Sequence, residues 1–124
     1  MITQIFKAHD DPEGVGFDSL VMVDHMSVVA VDPEGMTLIY MEGDDGPLCV
    51  QESFEVVKRY LPNAVELHTL DEKPFAINAK HFSSATGKGH EPETLVYMNG
   101  IDSEPFEVKN SLENVQHLIE RTLA

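Results

Sequence analysis

The chain has 124 residues, 42% of them hydrophobic, with 22 acidic against 8 basic side chains and a formal net charge of −14. That balance argues against direct binding of a phosphate backbone, which takes clustered Lys and Arg, and against anionic membrane surfaces. A single cysteine, Cys49, rules out an internal disulfide and favours a reducing, cytoplasmic compartment, and the N-terminus reads as neither a signal peptide nor a membrane span.

In chain order, the first half predicts short strands at Ile2–Lys7, Leu20–Val23 and Ser27–Val31, with apolar residues in alternation. A loop over His9–Gly16 separates the first two. Asp-Pro-Glu-Gly at 32–35 suits a turn, with Pro at the second position and Gly at the fourth. Thr37–Met41 is rich in Thr, Tyr and aliphatic residues and predicts a strand. Gly43–Gly46 then reads as a hairpin turn into a return strand at Leu48–Gln51. Ser53 predicts a helix N-cap and Glu55 suits the positive end of the helix dipole. Phe54, Val57 and Leu61 would share one face, and Pro62 would stop the helix.

The second half predicts the same order. Strands are expected at Ala64–Leu70, Phe75–Asn78, His81–Ala85, Thr94–Met98 and Phe106–Lys109, with a turn over Gly100–Glu104. Ser111 caps a second helix that carries Leu112, Val115, Leu118 and Ile119 on one face, with Thr122 as a further member. The halves align residue by residue. Thr37-Leu-Ile-Tyr-Met-Glu-Gly43 matches Thr94-Leu-Val-Tyr-Met-Asn-Gly100, and after a one-residue insertion Pro47–Val50 matches Pro105–Val108. His25 stands where His81 does. A tandem duplication follows, with modules at 1–62 and 63–124. The expected fold class is α+β: two modules of about five antiparallel strands, each a small barrel-like or curled sheet with one C-terminal helix. Whether the two sheets merge stays open.

The motifs Phe75-Ala-Ile-Asn-Ala79, Thr94–Gly100 and Val108-Lys-Asn-Ser111 resemble the FlbD/SwrD family, short proteins encoded among bacterial flagellar genes. The residue before the Ser is Glu in that family; it is Asn110 in the second half and Glu52 in the first. The first half has Met22-Val23 in place of Asn-Ala. The resemblance implies a small, non-enzymatic scaffold, here doubled.

No motif brings together a catalytic or metal-binding set. His9-Asp10-Asp11 offers ligand-type side chains without the spacing of a zinc site, and Asp44, Asp45 and Asp102 lack the ladder of a calcium loop. No metal, cofactor or enzymatic activity is expected. The residues singled out for binding are Tyr40 and Tyr97 with Met41 and Met98, because Tyr and Met face opposite sides of a strand and suit a core and a contact surface. Lys80, Lys88, His81 and His90 form the best local positive patch and could meet an anion. His25 and His81 suggest a symmetric interface near a pseudo-twofold axis. Cys49 suggests an exposed edge, since its counterpart is Glu107. The expected function is that of an acidic, oligomeric binding protein, a bacterial or phage regulator or inhibitor that meets a basic protein partner. A nucleotide-type ligand binder and a flagellar accessory protein are the alternatives.

Overall fold

A computed structural model describes residues 3–8, 17–44, 46–87, 93–101 and 105–124. The fold is α+β, built mostly of antiparallel strands, with a C-terminal helix. The strands are β1 (Thr3–Ala8), β2 (Phe17–Met22), β3 (Met26–Val31), β4 (Thr37–Met41), β5 (Leu48–Val50), β6 (Ala64–His68), β7 (Pro74–Asn78), β8 (Phe82–Gly87), β9 (Thr94–Met98) and β10 (Phe106–Val108). The helices are α1 (Phe54–Lys58) and α2 (Leu112–Leu123), and 3₁₀ turns at Val23–His25 and Ala79–His81 precede β3 and β8. The order strand, strand, 3₁₀ turn, three strands, helix therefore occurs twice among the described residues.

The expected pair of five-stranded sheets is not what forms. One sheet has seven strands in the order β2-β1-β5-β4-β3-β7-β6, and a second has three in the order β10-β9-β8. Two physical causes account for the difference. First, β7 adds to β3 with Val28 opposite Ile77 and Val29 opposite Ala76, and all four side chains are fully buried. Each of the larger ones stabilises by roughly 1.5–3 kcal/mol relative to exposure. Second, the join between the first and last strands of the second half is narrow: Thr69, just after β6, bridges Val108, and the Lys109 N–H donates to the His68 carbonyl, the counterpart of the single pair Ala8–Val50 that joins β1 to β5.

Two apolar clusters fill the interior. The first gathers Phe6, Val21, Met26, Val29, Ile39, Val50, Phe54, Val57 and Leu61, and also Ala76 from β7. The second gathers Val65, Leu67, Phe75, Ile77, Val96, Met98, Val108, Val115 and Ile119, and also Val28 from β3. Successive residues on a strand point to opposite faces. So β3 and β7 each lay one face on the cluster of their own half and the other on the neighbouring cluster. The sequence marks this: Met26-Ser-Val-Val-Ala-Val31 and Pro74-Phe-Ala-Ile-Asn78 are continuous apolar runs, the pattern of strands covered on both sides.

Further bonds tie the halves. The Gly43 N–H donates to the Gly100 carbonyl at 2.9 Å, the Asn78 side-chain amide donates to the Met26 carbonyl at 3.1 Å, and Lys73 Nζ donates to the Asp32 carbonyl at 2.9 Å. Gly100 has φ +73°, and a Cβ there would come within 2.6 Å of Glu42 Cγ, so only glycine fits this contact.

Local features follow the sequence closely. Ser53 Oγ accepts from the Val56 N–H and Ser111 Oγ from the Asn114 N–H. The Asp32–Gly35 turn closes with the Gly35 N–H on the Asp32 carbonyl at 2.9 Å. The first helix is shorter than its apolar spacing predicts. It ends at Lys58, and Leu61 is buried from the following turn, where its N–H donates to the Lys58 carbonyl. Leu112 shares the face of α2 with Val115 and Ile119 but is exposed where that face is open, and Thr122 caps the Leu118 carbonyl from an exposed position. The His9–Gly16 loop lies outside the described residues, as do Asp45 and Asp102.

Candidate binding surface

Of the four outer strands, β6 and β10 meet through the Thr69–Val108 bridge, while β2 and β8 have no strand on their far sides among the described residues. An open sheet edge presents unpaired N–H and C=O groups and is a template for further pairing. On β2 the inward residue Val21 is buried, while Leu20, Met22 and Phe17 are 68%, 46% and 55% exposed. Leu20 and Met22 share the outer face, with the exposed Ile5 of β1 opposite Leu20, whereas Phe17 stands on the face of Val21.

Beside β8 lies an open apolar groove of about 400 Å³, lined by Phe82, Ala85, Leu112, Val115 and Ile119 with Gln116 and Glu120. It is formed because α2 packs across the second sheet through Val115 and Ile119 while the outer part of β8 is made of small residues, Ser83, Ser84, Ala85 and Thr86. A larger cleft, about 510 Å³, is lined by His68, Glu72, Lys109 and Asn110. It is polar, and Lys109 there already pairs with Glu72, which holds the Glu72 carboxyl below its usual range. The lysine there is thus already paired, which disfavours an anionic ligand.

The expected site residues fall into several environments. Tyr97 is exposed and Met98 buried, one on each face of β9. Tyr40 is half-buried, because its ring meets Phe106 edge-on at a centroid distance of 5.1 Å across the halves. That burial pushes its phenol up from the usual value. Met41 is half-buried against the first cluster. Lys80 is exposed and its N–H donates to Asn78 Oδ1. Lys88 and His90 lie outside the described residues.

The expectation of a twofold arrangement of His25 and His81 is corrected. A twofold axis would give both rings one environment. Instead His81 Nδ1 is hydrogen-bonded to Ser27 Oγ at 2.7 Å, with Nε2 3.6 Å from a Glu42 carboxylate oxygen, while His25 is exposed. The halves are thus related head to tail. Cys49 is not on an edge either. Its strand β5 lies between β1 and β4, and burial, with Asp32 nearby, pushes the thiol up, away from the thiolate form that reactivity requires.

One position escaped functional reading and has a clear role. The Lys7 N–H donates to both carboxylate oxygens of Glu52 at 3.1 and 2.9 Å, and the matching His68 N–H donates to Asn110 Oδ1 at 2.9 Å. An acceptor side chain just before the helix cap therefore ties the first strand of each half to its helix. The Glu-Ser and Asn-Ser pairs were the available signal.

Among the described residues no three His, Cys, Asp or Glu side chains are grouped to hold a metal ion, and no helix is long and apolar enough to cross a membrane. Comparison with protein-family models, with curated proteins and with solved structures returns no match.

Proposed function

We propose that the chain is a tandemly duplicated, non-catalytic binding protein that acts through protein–protein contacts, as a bacterial or phage regulator or inhibitor with a basic partner. The observation that carries this reading is the open β2 edge with Leu20, Phe17 and Met22 turned to solvent. A soluble acidic chain that spends large apolar side chains on an unpaired edge has a use for them.

Several matched bonds support the duplication. The Gln51 N–H donates to the Lys7 carbonyl and the Lys109 N–H to the His68 carbonyl; the Glu42 N–H donates to the His25 carbonyl and the Asn99 N–H to the His81 carbonyl. The ladder shifts register between Met26 and Val28 in one half and between Phe82 and Ser84 in the other. The net charge of −14 supports a basic partner, since complementary potentials steer association. The resemblance to FlbD/SwrD proteins fits the same non-catalytic reading.

The test is quantitative capture from the lysate of the source cell or its host, with wild-type chain and Leu20→Asp. Retention of a basic protein that is released by salt and lost in Leu20→Asp is the expected result. A wild-type chain that retains nothing overturns the reading.

A further inference from the structure

The junction inside the chain supplies a template for an open one. Strand β7 lies on β3, and Ala76 enters the cluster formed by Met26, Val29, Phe54, Val57 and Leu61. In the second half the places of these five residues are held by Phe82, Ala85, Leu112, Val115 and Ile119. These are the residues that line the apolar groove. The first half's cluster is closed by Ala76; the second half's is open. The residue that holds the place of Ala76 is Leu20, 56 positions earlier, the same offset that relates His25 to His81. Leu20 is 68% exposed, on an edge strand.

We propose that copies of this chain join head to tail, β2 of one copy pairing antiparallel with β8 of the next as β7 pairs with β3 within the chain. The register carries over directly: Val28 opposite Ile77 and Val29 opposite Ala76 become Ser84 opposite Val21 and Ala85 opposite Leu20. Leu20 of one copy then fills the groove of the next.

Independent contacts carry over with it. The hydrogen bond between Ser27 and His81 becomes one between Ser83 and His25 of the next copy. The residue types are the same, and both stand exposed in the single chain. The approach of His81 to Glu42 becomes His25 to Asn99. The edge-on contact of Tyr40 with Phe106 becomes Tyr97, 39% exposed, against Leu48. Where the two junctions differ, they differ as a set. Val28 shares its cluster with Val65 and Phe75, whereas Ser84 would meet the positions of Gln4 and Ser19, polar on both sides. The junction between copies is therefore less apolar than the one within the chain, and its assembly is reversible and concentration-dependent.

Such a contact joins two different surfaces, so it builds rings or filaments rather than a twofold dimer. It rests on reading the sheet edges as contact surfaces and names the occupant.

Sedimentation of the purified full chain over a concentration series tests it. The average mass should rise above the 13.8 kDa of one chain, and Leu20→Asp and Ala85→Asp should each stay at one chain. Mixing these two variants leaves one intact β2 and one intact β8, so the mixture should form dimers and nothing larger. A cross-link gives a second readout that does not depend on a charged variant folding. Leu20→Cys mixed with Ala85→Cys, both carrying Cys49→Ser, should oxidise to a 20–85 linked dimer. Wild-type chain that stays monomeric throughout, a mixture that stays monomeric, or cross-links only between like positions overturns the proposal. A monomeric wild type that still captures a basic partner overturns head-to-tail assembly alone and leaves the binding function standing.

Discussion

Strands β2 and β7 hold the same place in the two halves of the chain, each hairpinned onto the first strand of its half. Strand β7 is buried on both faces from Phe75 to Asn78, whereas β2 buries Val21 and exposes Leu20 and Met22. The difference is not one of strand propensity, because both are short and rich in apolar residues. It comes from what lies on the second face: β7 has β3 and the first cluster beside it, and β2 has nothing among the described residues. A strand's burial is thus decided by its neighbour, and two strands in matching places can end as a core element and an edge.

Paired substitutions break or sharpen this comparison. The largest effect is expected from Ala76→Asp, which places an unpaired carboxylate inside an apolar cluster. It should cost at least about 4 kcal/mol in urea unfolding, while Leu20→Asp at the matching position stays within about 0.5 kcal/mol. Equal losses would mean that the outer face of β2 is packed within the single chain. Next comes Asn78→Ala. It leaves the Met26 carbonyl without its donor and should cost roughly 2 kcal/mol, against a negligible change for Met22→Ala. Denaturation midpoints for the two variants decide it.

Smaller effects concern the helix caps. Ser53→Ala and Ser111→Ala each remove a hydroxyl that accepts a first-turn N–H, with an expected loss of about 1 kcal/mol apiece. Thermal unfolding of the single and double variants measures whether the two caps add. The smallest effect is pH-dependent. Burial raises the Tyr40 phenol above its usual 10.0, so the folded chain holds that proton after the unfolded chain has released it. The associated stability is complete below about pH 10 and is lost as pH rises above it. Tyr40→Phe should flatten part of that alkaline decline in stability.

Much of the fold was legible because its signals are local. Thr37–Met41 and Thr94–Met98 form strands over the predicted residues, and Ser53 and Ser111 cap the helices as their hydroxyls suggest. Other features were hidden because they depend on remote partners. The start of β2 at Phe17 follows from pairing with Ala8, not from its own alternation. The joining of β3 to β7 is a choice among edges that periodicity cannot rank, although the unbroken apolar runs on both strands signal that both faces are covered. The exposed residues of the proposed contact surface were half legible. Tyr97 and His25 were singled out and are exposed, but Leu20, the most exposed of the large apolar residues, passed for an ordinary strand residue.

The β3–β7 junction also has a consequence for the order in which the protein is made. Strand β3 ends at Val31 and its partner β7 begins at Pro74, so residues 32–73 must be synthesised before the pair can close. At about 5–20 residues per second that is a wait of roughly two to eight seconds. During it the nascent chain displays Val28 and Val29 on an unfinished edge. Such an edge is a template for pairing with another strand, so the wait is the interval in which a wrong closure competes with the right one.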